Sequence, residues 1–299
     1  MMEPIDTRPI IVIFGGTGQL GTALQHALAP AARLVVPNSR EVSFEDPAAV
    51  ARFVAATNAT AVLNAAAFTG VDAAETDRDR ARQINAETPG VIAVACDDIG
   101  ARLVHVSSDY VFDGSGRVPY HTDAPTRPVN VYGETKLEGE RRIVDALPSA
   151  VIVRTSWLHS STGTNFVRTA TAMLSRGSSM RVVDDQVGTP TLASSVAEVI
   201  ARVLTRPSVR GVLHATDTGV ATWFDVACCV RDTIQRFGQS DVSAEVIPIS
   251  SAEFGSPATR PLVSILDTHQ TRHVLDWTPP HWRSGVVQTT RHWMTAVGL

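Results

Sequence analysis

The stretch "IIVIFGGTGQLGTAL", residues 10–24, decides the expected fold. Its first five residues form an unbroken apolar run, typical of a strand buried on both faces of a parallel sheet. Glycines follow at Gly15, Gly18 and Gly21, and a helical pattern begins at Gln19. Small residues at these positions permit a tight turn, close approach of a pyrophosphate, and packing of the helix on the strand. Because the helix N-terminus also offers free N–H groups to phosphates, the stretch predicts a dinucleotide site.

Strand-like and helix-like segments alternate from this turn to about residue 155. The alternation predicts an α/β fold with a Rossmann-like, doubly wound parallel sheet and ligands at the carboxyl ends of the strands. Beyond Trp157 strand-like and helix-like segments no longer alternate regularly, which indicates a smaller, interleaved C-terminal substrate lobe. The predicted dinucleotide-binding domain comprises residues 1–155 and 181–206, and the smaller lobe comprises residues 156–180 and 207–299.

Composition excludes several classes of protein. The chain has 299 residues, 44% of them hydrophobic and 19% charged, as expected of a folded globular enzyme. The net charge of -4 offers no basic footprint, so no nucleic-acid partner is expected. No apolar run reaches the roughly 18 residues of a membrane helix, and the N-terminus "MMEPIDTRP" lacks a signal-peptide core. We therefore expect no membrane partner and a cytoplasmic location.

The cysteines do not predict a metal site. Cys96, Cys228 and Cys229 lack the spacing of a metal-binding pattern, and the adjacent pair cannot easily close an unstrained disulfide. We interpret all three as reduced packing residues, and no metal ligand is assigned from the sequence.

The stretch "NVYGETKLEGE", residues 130–140, contains Lys136, the only lysine among 26 basic residues. On a helix, residues four apart share a face, so Tyr132 and Lys136 are expected to point into one cleft. A phenol has an ordinary pKa near 10, and a nearby ammonium lowers it by stabilising phenolate. A lysine supplies a compact charge that an arginine fork does not replace. The pair therefore predicts proton transfer by Tyr132; the alternative is an ordinary solvated helix lysine.

"HVSSDYVFDG" begins at the end of a predicted strand, where chemistry is expected in an open α/β sheet. A hydroxyl from Ser107 or Ser108 is suited to orient a substrate carbonyl, and strand alternation does not choose between them. Asp109 has two interpretations, contact with a sugar hydroxyl or a cap on the next turn.

The end of the second strand bears on the choice of cofactor. An acid at this place binds a ribose 2′-hydroxyl, whereas an arginine accommodates a 2′-phosphate. The sequence places Arg40 beside Glu41, with Ser39 before them. Arg40 favours NADPH, with NADH as the alternative if Arg40 and Glu41 form a solvated pair.

Further stretches identify a family that the chain resembles. They are, in chain order, "NAAAFTGVDAAE", "VSSDYVFDG", "NVYGETKLEGE", "IVRTSW", "NFV", "VVDDQVGTPT" and "RPLVSILD". Together they resemble the dTDP-4-dehydrorhamnose reductase family of the extended short-chain dehydrogenase/reductases, and the resemblance covers nearly the whole chain. It implies reduction of the C4 ketone of dTDP-6-deoxy-L-lyxo-4-hexulose by NADPH or NADH, which is the last step to dTDP-L-rhamnose.

The resemblance also implies roles for individual residues. Its catalytic hydroxyl, tyrosine and lysine fall on Ser108, Tyr132 and Lys136. Together with the glycine turn and Arg40, which the residues themselves indicate, the predicted cofactor-binding positions are Gly15, Gly18, Gln19, Leu20, Gly21, Arg40, Ala65, Ala66, Thr69, Tyr132 and Lys136. The positions that contact the nucleotide sugar are Val71, Ser108, Asp109, Tyr132, Trp157, Asn165 and Arg260. A homodimer with magnesium at its interface occurs among relatives, but no motif in this chain assigns either.

Alternatives stay open at this stage. Ser43 and Val263 depart from the usual aspartate and asparagine of the family, which leaves room for a 4-ketoreductase that makes a different nucleotide deoxysugar. A 4-epimerase is distinguished by a cofactor that co-purifies with the protein. A 4,6-dehydratase is disfavoured because only Asp109 follows Ser108, where an acidic pair is typical. A regulatory subunit of methionine adenosyltransferase is disfavoured by the retained Ser108, Tyr132 and Lys136.

Overall fold

The structure is a computed structural model that describes residues 7–238 and 244–298. Residues 1–6, 239–243 and 299 of the predicted lobes lie outside the described residues, and so does most of the N-terminal stretch "MMEPIDTRP". The strands are β1 (Ile10–Phe14), β2 (Arg33–Val35), β3 (Ala61–Asn64), β4 (Arg102–Ser108), β5 (Val151–Thr155), β6 (Leu158–His159), β7 (Met180–Val183), β8 (Val187–Gly188), β9 (Thr191–Leu192), β10 (Gly211–His214), β11 (Ala221–Thr222) and β12 (Val246–Ile249).

Helices follow most of these strands. They are α1 (Gln19–Leu28), α2 (Pro47–Ala56), α3 (Val71–Ala74), α4 (Arg78–Arg82), α5 (Thr88–Ile99), α6 (Val131–Ala146), α7 (Phe166–Leu174), α8 (Ala193–Leu204), α9 (Trp223–Phe237), α10 (Ser251–Phe254), α11 (His269–Leu275) and α12 (Trp282–Val297). A π-helical turn (Gln83–Glu87) joins α4 to α5, and a 3-10 turn (Asp109–Val111) follows β4.

The centre of the fold is a parallel six-stranded sheet in the order β10-β5-β4-β3-β1-β2. Strand order reverses between β1 and β3, because the chain moves outward to β2 first and then returns across the sheet. Such a reversal opens a crevice at the carboxyl ends of the strands, where ligands bind in open α/β sheets. The predicted Rossmann-like, doubly wound fold is confirmed.

Strand β1 shows why the apolar run forms the middle of the sheet. Ile11 and Ile13 pack into a core with α1, α8 and α11, whereas Val12 and Phe14 pack into a core with α2, α5 and α6. Because successive side chains of a strand point to opposite faces, only a continuous apolar run satisfies both cores. The predicted bounds of this strand and the predicted start of α1 at Gln19 agree with the structure.

A second core lies outside the large sheet. Helices α7, α9 and α12 pack together with the parallel pair β7 and β12, around buried residues such as Val167, Val226 and Trp282. This core carries one wall of the crevice described below, as expected of the smaller lobe.

Two strands lie on the other side of the predicted lobe boundaries. β10, from the range assigned to the smaller lobe, forms one edge of the large sheet beside β5. β7, whose residues 181–183 were assigned to the dinucleotide-binding domain, pairs with β12 instead. The two-lobe division stays a proposal, with these two strands exchanged, because apolar patterning finds a strand but not its hydrogen-bonding partner.

The structure also bears on the membrane-helix expectation and on the state of the cysteines. Within the part of the chain that the structure describes, no helix is both long and apolar enough to cross a membrane. The three cysteines are free thiols, and Cys96 and Cys229 are buried. Burial raises the pKa of the Cys96 thiol to about 12, which suits an unreactive packing residue.

Candidate active site

A cavity of about 780 Å³ opens at the carboxyl ends of β1, β3, β4 and β5 and is closed on its far side by the smaller lobe. The predicted site residues that line it are Gly15, Gly18, Gln19, Leu20, Gly21, Ala65, Ala66, Thr69, Val71, Ser108, Asp109, Tyr132, Lys136, Trp157, Asn165 and Arg260. Of the predicted set, Arg40 alone does not line the cavity. The fold therefore gathers side chains from most of the chain length at the crevice of the sheet.

The glycine turn is closely packed at Gly15, Gly16 and Gly21. A methyl group on Gly16 would lie 2.0 Å from Val36 Cγ1. Gly15 has φ +76°, and a methyl group on it would lie 2.6 Å from the backbone nitrogen of Ala66. A methyl group on Gly21 would lie 2.1 Å from the Gly15 carbonyl oxygen, inside the contact between β1 and α1. At Gly18 an added methyl would meet only that same oxygen, at 3.2 Å, so the space in front of Gly18 is open.

This turn fits the pyrophosphate of a dinucleotide. Helix α1 begins after Gly18, which provides no capping side chain, and its first residues Gln19, Leu20 and Gly21 line the cavity. The first-turn N–H groups of a helix lack partners within the helix and attract anions. The open space at Gly18 allows a phosphate to approach this helix end closely.

Arg40 lies at the turn after β2, and its side chain is exposed. The turn is held by Asn38, whose side-chain oxygen accepts from the N–H of Arg40 at 2.9 Å, while the Glu41 carboxylate accepts from the N–H of Asn38 at 2.9 Å. Glu41 is therefore occupied within the turn. The contact of Arg40 with a 2′-phosphate stays a prediction.

Strand β4 ends at the serine pair, and the structure separates the two. Ser108 lines the cavity, whereas the hydroxyl of Ser107 is buried away from it. The Ser108 hydroxyl donates to Asp109 Oδ1 at 2.8 Å and accepts from the N–H of Tyr110 at 3.2 Å. Ser108 thereby caps the 3-10 turn, the role that the sequence offered to Asp109.

Tyr132 stands in the first turn of α6, beside Ser108. Asn130 caps this helix by accepting from the N–H of Gly133 at 2.8 Å, and its amide donates to the Thr259 carbonyl at 2.8 Å. Burial raises the pKa of the Tyr132 phenol, a hydrogen bond with Ser108 opposes the rise, and the nearby Asp109 adds to it. The free protein therefore holds Tyr132 as a neutral phenol, the form that can donate a proton.

Lys136 lies one helical turn further and is only 1% exposed. Its ammonium nitrogen is 2.7 Å from the Val106 carbonyl oxygen and 3.1 Å from His105 Nε2. Burial lowers the pKa of Lys136 to about 8, and the nearby Glu140 carboxylate opposes this shift. Lys136 is thus no solvated surface lysine, and it exchanges its proton much closer to neutral pH than an ordinary lysine.

The lowered pKa predicts how stability depends on pH. Between pH 8 and 10.5 the unfolded chain binds the lysine proton and the folded chain does not, so the free energy of unfolding rises with pH. Relative to a Lys136→Met variant, which has no titrating group there, we expect wild type to gain at most about 3 kcal/mol across this window. Urea unfolding of both proteins at pH 7, 8, 9 and 10 measures the difference. Curves that stay parallel would contradict the shift.

One side of the cavity carries an acidic and a basic group, Asp109 and Arg260. Burial raises the pKa of Asp109 to about 6, and hydrogen bonds from Ser264 and Ser108 oppose the rise. Arg260 donates to Asp72 Oδ2 at 2.9 Å, and this carboxylate also accepts from the N–H of Ala258 at 3.2 Å. Asp72 follows the cavity residue Val71 at the start of α3, so the pairing holds Arg260 at the cavity wall.

Trp157 forms an aromatic wall together with a residue that was not predicted. Its ring stacks on Trp223 at a centroid distance of 3.7 Å and an interplanar angle of 6°. Trp157 has φ +44°, an uncommon conformation for a residue with a side chain. Gly188 is required beneath it, because a methyl group there would lie 2.6 Å from the indole.

Asn165 joins the two halves of the cavity. Its side-chain oxygen caps α7 by accepting from the N–H of Arg168 at 3.0 Å. Its amide nitrogen donates to Gln19 Oε1 at 2.8 Å and to the Ser160 carbonyl at 2.9 Å. Gln19 belongs to the glycine turn, so Asn165 links the predicted substrate side to the predicted cofactor side.

Among the residues that were not predicted from the sequence, Trp223 and Tyr110 line the cavity, whereas His105 contacts Lys136 and Asn64 contacts His105. The pattern "ATWFD" is typical of a helix start, and Thr222 and Asp225 form a capping box at the beginning of α9. Nothing local indicates that the first residue of this helix meets Trp157. His105 and Asn64 are polar residues within apolar strands. A polar residue in such a strand indicates a buried hydrogen bond, but the sequence does not identify its partner.

Within residues 7–238 and 244–298, no three or more His, Cys, Asp or Glu side chains are grouped so that they could hold a metal ion.

Comparison with known proteins agrees with this geometry. The profile of the family described as RmlD substrate binding domain matches residues 9–294. A dTDP-4-dehydrorhamnose reductase of Salmonella typhimurium is 37% identical over 284 residues, which is 92% of this chain and 95% of that protein. A Streptomyces antibioticus protein, named a probable dTDP-4,6-dihydroxy-2-methyloxan-3-one 4-ketoreductase, is 38% identical over 96% of this chain and 92% of its own length.

Among solved structures, a dTDP-4-dehydrorhamnose reductase from Bacillus anthracis, determined in complex with NADP, superimposes with a TM-score of 0.87. It is 31% identical, and the alignment covers 95% of this chain and 99% of that one. The similarity thus extends over both the large sheet and the smaller lobe.

Proposed function

Since the chain belongs to the dTDP-4-dehydrorhamnose reductase family, we propose that it reduces the C4 ketone of dTDP-6-deoxy-L-lyxo-4-hexulose to give dTDP-L-rhamnose. The protein is an NAD(P)H-dependent oxidoreductase. The observation that carries the proposal is the cavity itself, where Ser108, Tyr132 and Lys136 line one space with the glycine turn. Val71, Asp109, Trp157, Asn165 and Arg260 line the same cavity, and we assign the sugar nucleotide to the part next to them.

Each side chain has a task in this reduction. When bound, the nicotinamide supplies the hydride that adds to C4 of the sugar. Tyr132, a neutral phenol beside Ser108, gives its proton to the oxygen that becomes negative. Ser108 holds that oxygen, for which its hydroxyl must turn from Asp109 towards the substrate. Lys136, with a pKa near 8, supplies the proton that restores the phenol.

Three finer features belong to this proposal. NADPH is the preferred donor, supported by Arg40 after β2 and by the NADP complex of the Bacillus anthracis relative. NADH is the alternative, and titration of the free protein with both cofactors separates them. A homodimer and a cytoplasmic location stay predictions, and the interface magnesium of some relatives has no assigned ligands in this chain.

The direct test is to follow nicotinamide oxidation with enzymatically prepared dTDP-6-deoxy-L-lyxo-4-hexulose and to identify the product by NMR. Formation of dTDP-L-rhamnose establishes the reaction and its stereochemistry at C4. Absence of oxidation with either NADPH or NADH would refute it and would direct attention to a regulatory role. Cofactor that co-purifies with the protein and is not consumed would favour a 4-epimerase.

A second candidate is reduction of a different nucleotide deoxysugar ketone. It is favoured by the similarity to the Streptomyces antibioticus 4-ketoreductase, which equals the similarity to the rhamnose enzymes in identity and extent. The same assay decides, because a product with another configuration at C4, or faster turnover of another 4-keto sugar, would identify it.

Trp223 provides a test of the aromatic wall. We expect Trp223→Ala to raise KM for the nucleotide sugar about 5- to 10-fold with a smaller change in kcat, because loss of a stacked aromatic partner costs about 1 kcal/mol beyond lost contact area. The control is Trp223→Phe, which keeps a ring against Trp157 but loses the bond from Trp223 Nε1 to Gln186 Oε1 at 3.2 Å. If both variants bind substrate as wild type does, the wall has no role in binding.

A further inference from the structure

Behind Lys136, on the side away from the cavity, lies a buried polar pair formed by Asn64 and His105. Asn64 ends β3, His105 lies in β4, and the two residues are directly paired across the sheet. Asn64 is 1% exposed and His105 is 0% exposed. Asn64 Nδ2 is 3.1 Å from His105 Nδ1, and His105 Nε2 is 3.1 Å from the Lys136 nitrogen. Three polar side chains therefore form one row from the middle of the sheet to the cavity.

Hydrogen bonding determines where the imidazole proton lies. The Asn64 side-chain oxygen accepts from the N–H of Ala66 at 3.1 Å, so the amide NH₂ must be the group that faces His105. Burial, and to a smaller extent the charge of Lys136, lowers the pKa of His105, so the ring is neutral. A neutral imidazole accepts at one nitrogen and donates at the other. Because Nδ1 accepts from Asn64, Nε2 carries the proton.

The proton on Nε2 points at Lys136. An ammonium has only donors, so a charged Lys136 faces His105 donor to donor, whereas a neutral amine offers a lone pair that accepts from Nε2–H. One N–H of the amine still donates to the Val106 carbonyl, and another is left for the cavity. All polar groups of the row are thus paired only when Lys136 is neutral.

Other charges near Lys136 are largely compensated. Glu140, one turn further along α6, favours the ammonium, but its carboxylate is held by Arg154 of β5 through bonds of 2.6 and 2.9 Å. This ion pair is about 95% buried on both sides. Tyr132, on the same face of α6, is neutral. The Nε2 proton is consequently the nearest partner that discriminates between the two forms of Lys136.

We propose that Asn64 and His105 are positioning residues that fix the imidazole proton on Nε2 and thereby favour the neutral form of Lys136 in the free protein. In the reduction proposed above, on which this role rests, Tyr132 becomes a phenolate when it protonates the sugar oxygen. Neutral Lys136 takes up a proton from solvent, and the ammonium formed in this way passes a proton to the phenolate, so that both groups return to their starting forms. The pair sets the pH range over which this return is efficient.

The composition of the chain makes Lys136 directly observable. It is the only lysine, so protein labelled with ¹³C at lysine Cε, prepared without lysine in any tag, gives a single resonance whose pH titration reports its pKa. Long-range ¹H–¹⁵N correlation of histidine-labelled protein shows which nitrogen of His105 is protonated, with His105→Gln as the assignment control. Both measurements use the free protein, so they do not depend on the substrate proposed above.

For wild type we expect the Nε2–H pattern at His105 and a depressed titration of Lys136. In Asn64→Asp the carboxylate accepts from both the Ala66 N–H and Nδ1–H, which moves the proton to Nδ1 and makes Nε2 an acceptor. The Lys136 titration should then rise by about one to two pH units, since relief of one buried donor clash is worth that much. The decline of kcat at alkaline pH should move in the same direction.

Three results would overturn the proposal. One is a proton on Nδ1 in the wild-type protein, a measurement that requires no variant to fold. Another is an unchanged Lys136 titration in Asn64→Asp despite a reversed tautomer. The third result concerns the added charge. The double variant Asn64→Asp/His105→Phe keeps the new carboxylate but lacks the imidazole. An equal rise of the Lys136 titration in this variant would assign the effect to the carboxylate charge and not to the imidazole proton.

Discussion

Replacement of Tyr132 by phenylalanine is expected to lower kcat by about 10²- to 10⁴-fold, the range that a positioned general acid contributes. The phenol is the neutral proton donor that touches Ser108, and the substitution removes only its hydroxyl. The ring remains against Tyr110, whose centroid is 5.5 Å away in an edge-to-face contact. Packing of the first turn of α6 should therefore survive, and cofactor binding should stay near wild type.

Turnover of the nucleotide sugar and cofactor binding by fluorescence titration together test this expectation. The matched control is Tyr120→Phe, since Tyr120 stacks on Phe112 and bonds Asp113 at 2.9 Å outside the cavity. We expect this control to lose some stability and to keep its turnover. A Tyr132→Phe enzyme with near-normal kcat would show that the proton comes from another group.

The glycine turn was predictable to the residue because its causes are local. The bounds of β1, the start of α1, the positive φ of Gly15 and the close contact of Gly21 with the Gly15 carbonyl all follow from backbone sterics within a dozen residues. The parallel, doubly wound character of the sheet followed equally well from βα alternation and the handedness of crossovers. Structural features that depend on residues close together in the chain can therefore be predicted from the sequence.

Features that depend on distant partners were not predictable from the residues. "RLVHVSS" marks β4 clearly, but its alternation left Ser107 and Ser108 equivalent, and only the folded chain shows that Ser108 lines the cavity. The pairing partners of β7 and β10 were not predictable for the same reason, because each strand has an ordinary pattern and an unforeseen partner. Trp157 was expected in the site, yet its contact with Trp223 exists only in the folded chain.

Lys136 has one feature that the sequence predicts, the face of the helix on which it lies, and one that depends on distant partners, the groups that it contacts. Spacing on a helix predicted correctly that it lines the same cavity as Tyr132. The expected effect, an ammonium that lowers the tyrosine pKa, stays a prediction, because in this structure burial raises the pKa of Tyr132 and the groups that modify this rise are Ser108, Asp109 and Tyr110. Lys136 is turned instead towards His105 and Val106. Helical spacing indicates which face a side chain shares but not which of several polar groups it contacts.

Substitution of Lys136 by arginine, which keeps the charge, is expected to reduce kcat/KM by at least about 10²-fold. The site is built for a single nitrogen, with Val106 oxygen at 2.7 Å, His105 at 3.1 Å and 1% exposure. A planar guanidinium has no room there, and its pKa is too high for it to return a proton to the phenolate. Charge conservation alone therefore should not preserve activity.

The matched control lies on the same helix. Arg142→Lys makes the reverse exchange at a side chain that is 41% exposed and paired with Glu138, and it should leave kcat/KM within about twofold because exposed ion pairs contribute little. Circular dichroism and cofactor titration of Lys136→Arg separate misfolding from lost chemistry: a folded variant that binds cofactor and fails to turn over supports a proton-transfer role. If such a variant instead retains full kcat/KM, a fixed positive charge is all that the reaction requires at this position, and the lowered lysine pKa has no part in catalysis.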